Sequence, residues 1–224
     1  MTDRDRLVFA DLETLGLKND SPIVEIAMVI CTPNLEVLAQ RTQVVRQDQE
    51  AWAACPAVVQ AMHRSSGLMA ESLELDRMWR LEQGVGGVTM TAVRRDDSVT
   101  RTGTSLAEVE EAFIVWLMKH GFGHHDAVIA GNSIGQDRIW IATQMPALNE
   151  FLNYRMVDVS AVRQLIQLWA FSDYSGPKGD AAHRALPDCL WSHRELALYR
   201  RALFTGREDD IAGWLGAPLR GPTP

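Results

Sequence analysis

Nine residues from Ile23 to Cys31 make an almost unbroken apolar run, rich in β-branched side chains and interrupted only by Glu25. The run is too short to cross a bilayer, and its composition suits a strand enclosed on both faces. The flanking sequence extends the same element type. Leu7 to Phe9 reads as a strand that ends in polar groups at Asp11. The breaker-rich stretch from Leu15 to Pro22 turns the chain, and Pro33 with Asn34 turns it again into Glu36 to Val45. Three consecutive strands joined by short turns predict an antiparallel meander.

Helical periods follow. Gln49 to about Leu75 favours helix, broken into pieces at Pro56 and Gly67. Two short β-prone runs, Val88–Val93 and Ser98–Thr102, surround a charged turn and predict a hairpin. Ser105 with Glu108 three residues later forms a capping-box signature. Leu106, Val109, Phe113, Trp116 and Leu117 then recur at helical spacing until Gly121. Ala127 to Ala130 reads as a strand running into the small-residue loop Gly131–Gly135, with a helix from near Gln136. Tyr154 to Val157 is a further strand candidate, Asp158 the cap of a helix through Trp169, and Ala185 to Leu203 the last helix. The expectation is an α/β protein: a mixed five-stranded sheet, first antiparallel and then parallel, flanked by helices. Residues 1–204 would form one domain, and 205–224 a loosely ordered tail.

Composition narrows the partners. The 224 residues carry 22 Lys and Arg against 29 Asp and Glu, a net charge of −7, and that field opposes tight binding to a long duplex. Lys18, Lys119 and Lys178 are the only lysines, so the cations are nearly all Arg, whose fork grips single phosphates well. A small phosphorylated substrate therefore stays open. The three cysteines, Cys31, Cys55 and Cys189, form no C-x-x-C pair, which excludes a disulfide framework and fits a reducing compartment. Met1 to Arg6 alternates acid and base with no apolar core behind it, so a cytoplasmic protein without membrane contact is expected.

Asp11 and Glu13, two residues apart on a strand, point to one face. Such carboxylates repel unless water or a hard cation lies between them, and spacing alone leaves both readings open. Asp137 opens a helix, where the dipole favours an acid in any case, and Asp158 needs no role beyond a cap. His183 follows a loop, and Asp188 comes one and a half turns later behind Pro187. A histidine there suits a general base, and the helical Asp a metal ligand.

Taken in order, these segments resemble one family. Asp11-Leu12-Glu13 with Gly16-Leu17, Ile23-Val24-Glu25-Ile26-Ala27, the run from Gly131 to Arg138, Tyr154-Arg155 ahead of Asp158-Val159-Ser160, and His183-Arg184-Ala185 with Asp188 are similar to oligoribonucleases. These are DEDDh-class 3′-to-5′ exonucleases with a ribonuclease H-like fold. The resemblance implies a homodimer that cleaves very short single-stranded RNA, dinucleotides included, with two divalent cations, Mg²⁺ or Mn²⁺. It implies Asp11, Glu13, Asp137 and Asp188 as ligands, Asp11 being shared between the ions, and His183 as the base. Leu17 would wedge under the bases, His63 would face the terminal phosphate, and Ser133 and Gln136 would touch the substrate end. Tyr154 and Arg155 would reach in from the partner subunit. Two departures stand out: Val58 occupies a position where the family carries Trp, and the stretch from about 73 to 103 reads as an insertion. A DNA exonuclease and a non-catalytic nucleotide binder are the rival readings.

Overall fold

A computed structural model describes residues 6–83, 105–170, 172–176 and 183–204. Strands β1 (Leu7–Thr14), β2 (Ile23–Cys31) and β3 (Val37–Val44) form the antiparallel meander. Three helices follow: α1 (Gln49–Ala54), α2 (Ala57–Ser65) and α3 (Leu68–Glu82). Pro56 precedes α2, and Gly67, at φ +80°, opens α3, so the two predicted breakers separate the pieces. Helix α3 runs past Leu75 to Glu82 because its far turns have tertiary partners. Asp76 pairs with Arg46, and Arg46 lies over the Trp79 ring. The predicted hairpin and the tail from 205 lie outside the described residues.

Beyond that stretch come α4 (Leu106–Lys119), β4 (Val128–Gly131), α5 (Ile134–Gln144), α6 (Pro146–Phe151), β5 (Met156–Asp158), α7 (Val159–Trp169) and α8 (Ala185–Leu203). The capping box of Ser105 and Glu108 starts α4, and Asp158 caps α7 by accepting from the Ser160 and Ala161 N–H groups. Strand order is β3-β2-β1-β4-β5, with β4 parallel to both β1 and β5. This is the mixed sheet expected from the sequence. Helix α5 starts two residues earlier than predicted, since Ser133 takes a left-handed conformation (φ +53°) and ends the β4 turn.

All nine residues of β2 are buried, which requires cover on both sides. On one face Val8, Ala10, Leu12, Ile26, Met28 and Ile30 pack under α4, α5 and α6. On the other, Phe9, Ala27, Val29 and Cys31 meet Ala185, Cys189 and Tyr199 of α8. Period-two alternation then decides the chemistry. Asp11 and Glu13 follow Phe9 on the face that α8 covers, as does Glu25 of β2. No described helix is long and apolar enough to cross a membrane.

Candidate active site

Two elements bring the acids together. Strand β1 carries Asp11 and Glu13, and the first turn of α8 carries Asp188. One oxygen from each of the three lies within 4.8 Å of the others. Asp137, buried in the first turn of α5, accepts the Leu12 N–H at 3.0 Å from the opposite side of the strand. A separation of 125 residues in sequence thus becomes a direct contact with β1 (137 − 12 = 125).

The electrostatics of this cluster are unfavourable as it stands. Burial, followed by repulsion from Asp137, Glu13, Asp188 and Glu25, pushes the Asp11 carboxyl well above its ordinary value. Burial, followed by repulsion from Asp188, Glu25 and Asp137, raises Glu13 to about 8 against the pull of Arg184, which lowers it. Burial raises Asp137 to about 7 despite the N–H it accepts from Leu12. All-oxygen, anionic and rigid, the donor set fits a hard divalent cation, which would remove the repulsion. Asp158 stays apart from the cluster as a cap, and its Oδ1 also accepts the Ser133 N–H.

His183 stands exposed just before α8, at φ +49°, on the chain that leads to Asp188. The next residue, Arg184, reaches inward. Its Nη2 donates to Glu25 Oε1 at 2.8 Å, its Nε to both Glu25 oxygens at 3.1 Å, and its Nη2 also to Glu71 at 2.7 Å. In the sequence Glu25 interrupts an apolar run and falls within the Ile23–Ala27 segment of the resemblance, with no role of its own assigned. A charge inside a buried strand is rarely left without a specific partner, and that was the available signal.

His63 is fully buried beneath the cluster. Its Nε2 donates to the Thr14 carbonyl at 2.9 Å, its ring stands edge-on to Trp52, and Nδ1 faces Glu13 at 3.9 Å. Trp52 itself is core, 1% exposed, whereas Val58 is open to solvent. Leu17 projects from the β1–β2 turn at 87% exposure. That turn is held by Trp140, whose indole N–H donates to the Lys18 carbonyl at 2.8 Å. Gln136 lies in the first turn of α5 with its Nε2 buried and unpartnered, and Ser133 is exposed at the loop before it. Tyr154 and Arg155 are both exposed, with the guanidinium stacked on the ring at 4.5 Å.

Residues 91–196 match the RNase_T family of exonucleases. Over 203 residues the chain is 39% identical to an oligoribonuclease of Corynebacterium glutamicum (strain R), covering 89% of this chain and 80% of that one. The chain belongs to the oligoribonuclease family. A Rhodococcus jostii (strain RHA1) member is 35% identical over 204 residues, covering 90% and 89%. Among solved structures, the zinc-bound complex of E. coli exonuclease I with single-stranded DNA superposes with a TM-score of 0.51 at 13% identity. It covers 94% of this chain and 45% of that one. At that identity the likeness is one of fold, the exonuclease-like ribonuclease H fold. As an oligoribonuclease the chain is a phosphodiester hydrolase, and its acidic cluster sits at the end of the sheet's central strand.

Proposed function

We propose that this oligoribonuclease releases nucleoside 5′-monophosphates one at a time from the 3′ end of very short RNAs, dinucleotides included. The observation that carries the reading is the convergence of Asp11, Glu13 and Asp188 within 4.8 Å, with Asp137 fastened to the same strand. Mg²⁺ or Mn²⁺ ions held by these four carboxylates would neutralise the phosphoryl oxygens and lower the pKa of the attacking water. The remaining work falls to the chain's own side chains. His183, exposed on its loop, takes the proton from that water and returns it to solvent. Leu17 lies under the terminal bases, and the buried, unpartnered Nε2 of Gln136 donates to the substrate end beside Ser133. His63 lies buried behind Glu13, its Nδ1 3.9 Å from that carboxylate, on the side we assign to the terminal phosphate.

Tyr154 and Arg155 make a flat, exposed, stacked pair that their own domain leaves uncovered. We assign them to the neighbouring site of a homodimer, where the ring would stack on a base. Three buried, unpaired thiols suit the reducing cytoplasm. Time courses on labelled RNA and DNA ladders, from dinucleotides upward, test the reading in Mg²⁺ and Mn²⁺. Rapid turnover of RNA dinucleotides, abolished in Asp11→Ala and Asp188→Ala, is expected. Retained turnover in either variant, or preference for long DNA, would overturn it. Light scattering on the active protein should report a dimer.

A further inference from the structure

Glu25 and Arg184 hold an arrangement that the fold does not need for its own sake. The sheet is already knit by the β1–β2 and β2–β3 ladders. An apolar residue at position 25 would spare the cost of burying a charge. Instead Glu25, 1% exposed, receives three N–H contacts from Arg184 and a fourth, at 2.9 Å, from the backbone N–H of Ala185. Arg184 continues outward to Glu71 and, at 3.5 Å, to the Ser66 carbonyl at the α2–α3 junction. Both residues following His183 are therefore fixed, one through its side chain and one through its backbone. His183 itself holds φ +49°, a conformation that a non-glycine residue keeps only where its surroundings dictate it.

We propose that Glu25 and Arg184 are positioning residues of the hydrolysis, acting through His183: the pair fixes the backbone from which the base reaches the water. The proposal rests on His183 being that base. A bidentate fork is needed because a single-point contact would leave the backbone free to rotate, so Lys is no substitute at 184. Arg184 also lies close enough to Glu13 to lower its proton affinity, which offers a second route to the reaction. The two routes separate in a double-mutant cycle.

The test uses the full chain with Mn²⁺ and a labelled RNA dinucleotide, reading kcat and KM by single and multiple turnover alongside thermal midpoints. Turnover by the unaltered protein and its loss in His183→Ala establish the underlying reading first. Equal rates in those two proteins would fail that reading rather than the pair. Arg184→Lys is expected to lower kcat by about 10²-fold with KM little changed, as for a small misplacement of a reacting group. In the His183→Ala background the same substitution should change kcat by no more than about a factor of two, the scatter of independent sites. A full, multiplying loss in that background would overturn the proposal in favour of the Glu13 route. A rise in KM alone would overturn it as well. Should Arg184→Lys fold poorly, Glu71→Ala removes only the outer, exposed contact. Its smaller loss of kcat must likewise vanish without His183.

Discussion

The backbone N–H of Leu12, the residue between two carboxylates of the site, donates to Oδ1 of Asp137 at 3.0 Å. Asp137 thus fastens α5 to β1. Removing the acceptor in Asp137→Ala leaves a buried N–H without a partner, which costs about 1–3 kcal/mol. Asp137→Asn keeps an acceptor oxygen and deletes one of the repelling charges. Both variants are expected to lose activity, but only the alanine variant should lose stability in denaturant unfolding without metal. Equal stabilities would show that the contact contributes nothing.

Proton binding at the site sets a second expectation. Glu13 is raised from 4.5 to about 8 and Asp137 from 3.8 to about 7, first by burial in both cases. Between those limits the folded protein holds protons that the unfolded chain has released, so stability falls as pH rises. The metal-free thermal midpoint should therefore drop from pH 5 to pH 8 and level off above about 8. A divalent cation displaces the same protons, so Mn²⁺ should stabilise most at the alkaline end and acidify a weakly buffered sample on binding. A metal-free midpoint that climbs over this range would contradict the shifts.

His183 offers a kinetic expectation. Loss of general-base help costs roughly 10²–10⁴-fold in rate. His183→Ala should lower kcat on a dinucleotide by that much at neutral pH, with the fold and metal binding intact by circular dichroism and calorimetry. An unchanged kcat would remove His183 from the mechanism.

What could be read in advance divides along physical lines. Strand β2 was legible because a nine-residue β-branched run has few other uses, and α4 because Ser105 and Glu108 announce its start. Asp137 was ambiguous on local grounds, since an acid in a first helical turn is ordinary. Only the motif from Gly131 to Arg138 singled it out, and only the fold shows its hold on Leu12. Glu25 was illegible as a working residue: its partner Arg184 lies 159 positions away, and no local pattern encodes that pairing. The far half of α3 escaped for the same reason, because Asp76 and Trp79 owe their helical place to Arg46.

Glu195 predicts a stability effect away from the carboxylate cluster. Fully buried in α8, it accepts from Arg163 Nε at 2.7 Å, from Asn132 Nδ2 at 3.0 Å and from the Tyr199 hydroxyl. Burial alone would raise its carboxyl, but these donors hold it below the ordinary value. Glu195→Ala breaks a buried ion pair and should cost about 3 kcal/mol in urea unfolding. Asn132 begins the loop before α5, so the KM for dinucleotides should rise too. A variant as stable as the parent would mean that Arg163 finds water instead.

The last expectation concerns the turn that presents Leu17. Trp140 donates its indole N–H to the Lys18 carbonyl, and the Gln144 side-chain amide bonds Ser21 and Ile23 further along. Trp140→Phe keeps the ring in the core and deletes one hydrogen bond, so its stability cost should be about 1 kcal/mol. The turn, however, loses its tie next to the exposed Leu17. Dinucleotides, with few other contacts, depend most on an apolar rest beneath the base. Leu17→Ala should therefore raise KM severalfold for a dinucleotide and less for a pentanucleotide, and Trp140→Phe should shift the same ratio in the same direction. If KM rose equally for both lengths, Leu17 would be serving the fold of the turn and not the grip on the shortest substrates.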